Sequence, residues 1–92
     1  MISVEATARF RGAIVGRAEE REAVFTAMMA AAEAWGQPHR HSGVGIRRLR
    51  RGVFECRCGR DLRLIFLPAP QALVFDFAGN HDEVRAYLKN RG

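Results

Sequence analysis

Between Val53 and Phe77 the chain passes three times through a strand-length run of alternating side chains, with turn residues between the runs. Val53 to Cys58 sets Phe54, Cys56 and Cys58 against Val53, Glu55 and Arg57. Gly59-Arg60-Asp61 follows as a hairpin turn, and Leu62 to Leu67 then sets Leu62, Leu64 and Phe66 against Arg63, Ile65 and Leu67. Pro68-Ala69-Pro70-Gln71 reads as the next turn, because proline lacks the N–H that a central strand must donate. Ala72 to Phe77 completes a meander with Leu73, Phe75 and Phe77 on one face. A period of two wound into a helix would scatter its apolar side chains, so this segment is sheet and the rest of the chain must cover it.

The flanks supply that cover. Ile2 to Glu5 alternates as a short edge strand, and Thr7 caps a helix that carries Phe10, Ala13 and Ile14 on one face and ends at Gly16. A second helix starts near Ala18, with Glu19, Glu20 and Glu22 in its first turns, where the helix dipole favours anions. Its apolar stripe is Val24, Met28, Ala31 and Trp35, with Phe25, Met29 and Ala32 alongside, and is expected to be core. Gly36-Gln37-Pro38 stops that helix, His39 to Gly45 reads as a loop, and Ile46 to Arg50 fits either a short strand or one helical turn. Asn80 and Glu83 form a capping box for a last helix, which docks through Val84, Tyr87 and Leu88. The expectation is a compact α+β domain over residues 1–92: an N-terminal strand and helix pair packed on a small antiparallel sheet, then a C-terminal helix.

A chain of 92 residues has a thin core, so partner binding matters to its stability. Its net charge of +5 comes from 14 arginines and one lysine, and eight of those arginines fall between Arg40 and Arg63. A GC-rich genome would account for arginine over lysine, but not for the clustering. The cluster points to a phosphate-rich or acidic partner, which guanidinium forks grip in bidentate fashion. No long apolar run occupies the first thirty residues, so neither a signal peptide nor a membrane span is expected and the cytoplasm is the expected compartment. His39-x-His41 and Cys56-x-Cys58 lack the separation usual in structural zinc sites, and the cysteines alternate with charged residues as strand residues do. They are expected to be buried thiols, with no metal and no cofactor. Gly43-Val44-Gly45 is too short for a nucleotide-binding loop, and no Ser-His-Asp or Cys-His arrangement stands out.

Taken together, Leu49, the strand arginine Arg57, the run Leu62-Arg63-Leu64-Ile65-Phe66 and the closing turn Gly79-Asn80-His81-Asp82-Glu83-Val84 resemble the RelE/ParE superfamily. These are the toxins of bacterial type II toxin–antitoxin pairs. The element order over residues 2–90 fits the same family, so the likeness spans nearly the whole chain. It implies a small cytosolic toxin that a cognate, partly acidic antitoxin wraps in a heteromeric complex. The RelE-like branch cleaves mRNA on the ribosome without a metal, whereas the ParE-like branch inhibits DNA gyrase. Fold alone does not decide between them.

Metal-free RNA cleavage needs a base near the 2′-hydroxyl, an acid near the departing 5′-oxygen and cations around the phosphorane. The resemblance places Arg63 at the family's phosphate-binding arginine, His81 at the arginine or histidine of the closing turn, and Arg57 at the second-strand arginine. His81 then serves as general acid or base, with Arg63 and Arg57 as phosphate ligands. An imidazole in the first turn of a helix sits where phosphate is attracted, and it titrates near cellular pH. Arg47, Arg48, Arg50, Arg51, Arg60 and Arg85 are the expected RNA-binding set. The plainer alternatives are a polar turn residue at His81 and, for Arg57 and Arg63, solvated charges or anchors for an acidic antitoxin segment. One departure bears on activity: many mRNA-cleaving members carry an aromatic where this chain has Arg85. Tyr87 lies about 200° further round the helix and cannot simply replace it. That difference favours the alternative of a gyrase inhibitor or a module that only binds its antitoxin.

Overall fold

In a computed structural model, which describes residues 2–91, the three alternating runs form the middle of one five-stranded sheet. Its strands are β1 (Ser3–Ala6), β2 (Arg47–Arg50), β3 (Val53–Cys58), β4 (Leu62–Ala69) and β5 (Ala72–Gly79), in spatial order β1-β5-β4-β3-β2. The segment that fitted either strand or helix is therefore edge strand β2. β2 to β5 are antiparallel neighbours, whereas β1 joins β5 in parallel, so the sheet is mixed and not wholly antiparallel. The reason lies in the chain path: β5 is reached by hairpins, but β1 precedes the helices and returns to the sheet through a crossover.

Two cores lie on opposite faces of the sheet. Helices α1 (Ala8–Ile14) and α2 (Arg21–Ala34), joined through a 3₁₀ turn at Ala18–Glu20, cover the first. There Phe10, Val24, Met28 and Ala31 meet Cys56, Leu64, Phe66, Leu73 and Phe75. Thr7 caps α1 as expected, its Oγ1 accepting from the Phe10 N–H at 3.1 Å. Helix α4 (His81–Arg91) covers the second face, where Val84 and Tyr87 pack on Val53 and Ile65, with Leu88 beside them. Its capping box is reciprocal: Asn80 N–H donates to Glu83 Oε1 and Glu83 N–H to Asn80 Oδ1, both at 2.8 Å.

Four local expectations are corrected. His39 to Gly45 is not a loop: Pro38–Val44 forms helix α3, with proline in its first turn and Gly45 closing it at φ 69°. The Ile46 N–H returns to the His41 carbonyl, and the His41 ring stacks on Trp35 with centroids 5.7 Å apart. Capping and this contact outweigh the poor helix propensity of a run of His, Ser and Gly. Pro68 lies inside β4, opposite Leu73, but past the last β3 partner, where one side of the strand has no N–H to supply. Phe77 leaves the face shared by Leu73 and Phe75, because a bulge between Ile65 and Phe66 places Ile65 opposite Phe77 and Phe66 opposite Phe75. The two-versus-one count turns Phe77 toward α4, where it stacks on Tyr87. Phe25, expected to be core, is 62% exposed, since it lies off the Val24–Met28–Ala31 stripe that meets the sheet.

Candidate functional site

The strand pattern places Arg57 directly across from Arg63, and Arg63 directly across from Gly79, the residue before the Asn80-His81 turn. Arg63 therefore stands between Arg57 and His81 on the α4 side of the sheet, which is also the side of Val53 and Ile65. One open hollow is floored by Glu55 and ringed by Arg47, Arg57, Arg60 and Arg63. A second adjoins it, lined by Arg60, Arg63, Asn80 and His81 with Asp61 and Asp82 at the rim. Arg60 and Arg63 belong to both, so the two hollows form one concave surface.

Glu55 organises the cations. It is 4% exposed, and its Oε2 accepts from Arg63 Nη1 at 2.9 Å and pairs with Arg47 Nε at 3.3 Å. One buried carboxylate so fixes two guanidiniums whose outer edges stay open to solvent, while Arg57 and Arg60 have no carboxylate within ion-pair distance among the described residues. Four guanidiniums against one carboxylate leave the first hollow strongly positive. Gly45 holds Arg57 in place by having no side chain: a Cβ there would lie 2.8 Å from Arg57 Nε and 2.9 Å from its Cβ. At the other end, Glu83 Oε1 also receives Arg17 Nη2 at 3.4 Å, so the turn bearing His81 is tied to the chain between α1 and α2. His81 itself is exposed and opens α4, where unpaired N–H groups gather.

The other arginines disperse. Arg48 sits opposite Phe54, on the alternate face of β2 from Arg47, and Arg51 lies in the β2–β3 turn. Arg50 turns to α4, where Nη2 donates to the Leu88 carbonyl at 2.7 Å, a helix-end contact. Arg85 is exposed on α4, beside Asp82, Ala86 and Lys89. Tyr87 is committed elsewhere: its ring stacks on Phe77 at 5.0 Å and its hydroxyl donates to Asp76 Oδ2 at 2.7 Å. Asp76, 8% exposed and next to the bulge, also accepts from Thr7 Oγ1 at 2.9 Å and faces Arg9 and Arg91 at 3.4 and 3.8 Å. Burial pushes its carboxyl upward, but the Tyr87 and Thr7 hydrogen bonds and the two arginines prevail and hold it below the ordinary carboxylate value. Burial, the Asp76 hydrogen bond and the Asp76 charge push the Tyr87 hydroxyl up to about 12.

Sequence reasoning overlooked Glu55 and Asp76. Each carried a signal. Glu55 is the acid two residues before Arg57 on one strand face, and Asp76 is the sole charged residue in an otherwise apolar strand. The tempting metal ligands do not assemble. Cys56 and Cys58 are buried free thiols in the first core, His41 stacks on Trp35, and among the described residues no three His, Cys, Asp or Glu side chains gather as a metal site. Burial and the neighbouring Cys58 and Glu55 push the Cys56 thiol up to about 12, far from a reactive thiolate.

By sequence, no family model and no curated protein matches the chain. By structure, it superposes on YafQ from Escherichia coli BL21(DE3) with a TM-score of 0.67 at 14% identity, covering 91% of this chain and 98% of that one. The chain has the YafQ fold. A chain of an E. coli DinJ–YafQ complex agrees comparably, with a TM-score of 0.65 at 15% identity over 91% of this chain and 98% of that one. A copper-bound point mutant of a toxin from Helicobacter pylori reaches a TM-score of 0.72 at 13% identity, over 91% and 99% of the two chains. The α+β architecture expected from the sequence is thus met, with the YafQ fold, along nearly the whole chain. Among the described residues no helix is long and apolar enough to cross a membrane.

Proposed function

We propose that this protein is the toxin of a type II toxin–antitoxin pair, acting in the cytoplasm as a ribosome-dependent mRNA endonuclease that blocks translation. The observation that carries this reading is the alignment of Arg57, Arg63 and His81 along one concave, positively charged surface. The YafQ fold supports it, and the DinJ–YafQ complexes support an antitoxin as the partner.

The chemistry follows from the residues. The RNA's own 2′-oxygen attacks the adjacent phosphorus, its proton leaving to a base, and the phosphorus–O5′ bond breaks as an acid protonates O5′. The products are a 2′,3′-cyclic phosphate and a 5′-hydroxyl. Arg63, aimed by Glu55, and Arg57, which pairs with no carboxylate among the described residues, hold the non-bridging oxygens as negative charge builds on them. His81 carries the proton at one end of the reacting bond. Arg47 and Arg60 hold the neighbouring backbone.

One observation favours a different activity: Arg85 stands where an aromatic is common in mRNA-cleaving members, and Tyr87 is locked to Asp76. A gyrase inhibitor or a pure antitoxin-binding module would need neither aromatic. The two readings separate by mapping 5′ ends on a reporter mRNA in a cell-free translation reaction. New ends inside translated codons that require ribosomes are expected. Intact mRNA with translation undisturbed would reject nucleolysis, and a gyrase supercoiling assay then tests the alternative.

A further inference from the structure

A third depression continues the concave surface along the outer face of α4. It is lined by Asp82, Arg85, Ala86 and Lys89, and it shares Asp82 with the hollow that holds His81. The three hollows together present six cations, Arg47, Arg57, Arg60, Arg63, Arg85 and Lys89, against the acids Glu55, Asp61 and Asp82. Arg85 and Lys89 are exposed and have no carboxylate within ion-pair distance among the described residues. Lys89 in the last turn of α4 also suits the helix dipole, but Arg85 in the middle of the helix has no such use. The pair is spaced four residues apart, on one helix face, with a rise of about 6 Å between them. No Phe, Tyr or Trp lines any of the three hollows; Phe77 and Tyr87 border a neighbouring cavity with Arg9 and Arg91 that meets the α4 depression at Ala86, but Tyr87 is only 7% exposed and its ring is stacked on Phe77.

We infer that single-stranded RNA leaving the cut site runs over α4, its phosphates held by Arg85 and Lys89, with no base stacked or read along that arm. This rests on the endonuclease reading and goes beyond it by assigning the path of one flank and its indifference to sequence. Strand binding without aromatic platforms lacks the stacking contribution and depends on salt throughout. The Arg85 substitution then has a positive content: the position holds a phosphate in place of an aromatic contact.

The test is fluorescence anisotropy with uncleavable 2′-O-methyl 12-mers of oligo(U), oligo(A) and oligo(C), across a salt series. The wild-type chain is expected to bind all three within about threefold of one another, since stacking differences are absent. Arg85→Gln/Lys89→Gln is expected to weaken binding about tenfold at low salt. It should also flatten the plot of log K against log salt by about 1.4, or about 0.7 for each lost phosphate contact. Both residues are exposed, so an unchanged melting temperature is expected to show that the variant is folded. Equal binding and an unchanged slope in the variant, with wild-type RNA binding intact, would overturn the α4 path and leave the endonuclease reading standing. A strong preference for one oligomer would overturn the base-blind arm. No binding of any RNA by the wild type would overturn the α4 path and the base-blind arm together, leaving the endonuclease reading to the cleavage assay on ribosomes. Intact RNA binding with lost affinity for oligoglutamate would give the face to an acidic protein instead.

Discussion

At the scale of single residues, the site depends on a carboxylate that takes no proton in the proposed chemistry. Glu55 is buried and binds two arginines that the proposed reaction would need on the rim. Glu55→Ala would free Arg63, whose side chain is 28% exposed, to swing into water, and Arg47 with it. Because the arginines are partly solvated, the stability loss should be about 1–2 kcal/mol, well short of the cost of a fully buried pair. Cleavage should fall further than folding does, and Glu55→Gln, which keeps an acceptor for Arg63, should recover part of it. Denaturant melts beside single-turnover rates check both. Gly45 is the other silent contributor: at φ 69°, against Arg57, Gly45→Ala is expected to cost about 1 kcal/mol or more and to weaken RNA binding as Arg57 is displaced. The sequence signals Glu55 only by its place on the Arg57 face of a strand, and a glycine in a loop-like stretch, as Gly45 is, carries no signal at all.

At the scale of elements, what the sequence displayed and what it concealed divide along physical lines. The meander, the Thr7 cap and the Asn80–Glu83 box were legible because each rests on contacts between residues close in the chain. The mixed sheet, the β5 bulge and the position of Pro68 were not, because each is decided by which strand lies alongside. Helix α3 was hidden for a related reason: its stability comes from Gly45 and from stacking on Trp35, not from its own composition. For the site, Arg57, Arg63 and His81 could be singled out, but the Glu55 pairing and the dispersal of Arg48, Arg50 and Arg51 needed the register. The Asp76 cluster is the clearest case, joining β5, the start of α1 and α4 from positions 7, 9, 76, 87 and 91. It also sets a pH dependence. Asp76 is depressed in the folded state, so its contribution is present above the ordinary carboxylate range and lost as pH falls below about 4. Tyr87 is raised to about 12, so its contribution is complete below its ordinary value of 10.0 and lost as pH climbs from there. Melting temperature against pH should therefore fall at both ends. Tyr87→Phe should shrink the alkaline limb to the part that the raised Cys56 and Cys58 thiols contribute and, by leaving Asp76 one donor short, cost about 1–2 kcal/mol at neutral pH.

At the scale of the whole molecule, a thin two-faced core carries an excess of positive charge on one concave side. Such a surface favours an anionic partner, and under the proposed function binding of RNA and of an acidic antitoxin segment should both weaken as salt screens them. The core itself is chemically quiet: Cys56 and Cys58 are buried, and the Cys56 thiol is raised to about 12. Both should resist alkylation at pH 8 in the native protein and react on denaturation, as mass spectrometry would show. The central claim concerns Arg63 and His81 acting on one phosphate. The direct measurement is the single-turnover rate of mRNA cleavage on programmed ribosomes for the wild type, His81→Gln and Arg63→Gln, with the product ends identified. The account predicts 2′,3′-cyclic phosphate and 5′-hydroxyl ends, and a rate lowered about 100-fold or more in each variant with folding unchanged. Undiminished cleavage in both variants, or 3′-hydroxyl and 5′-phosphate ends, would contradict it.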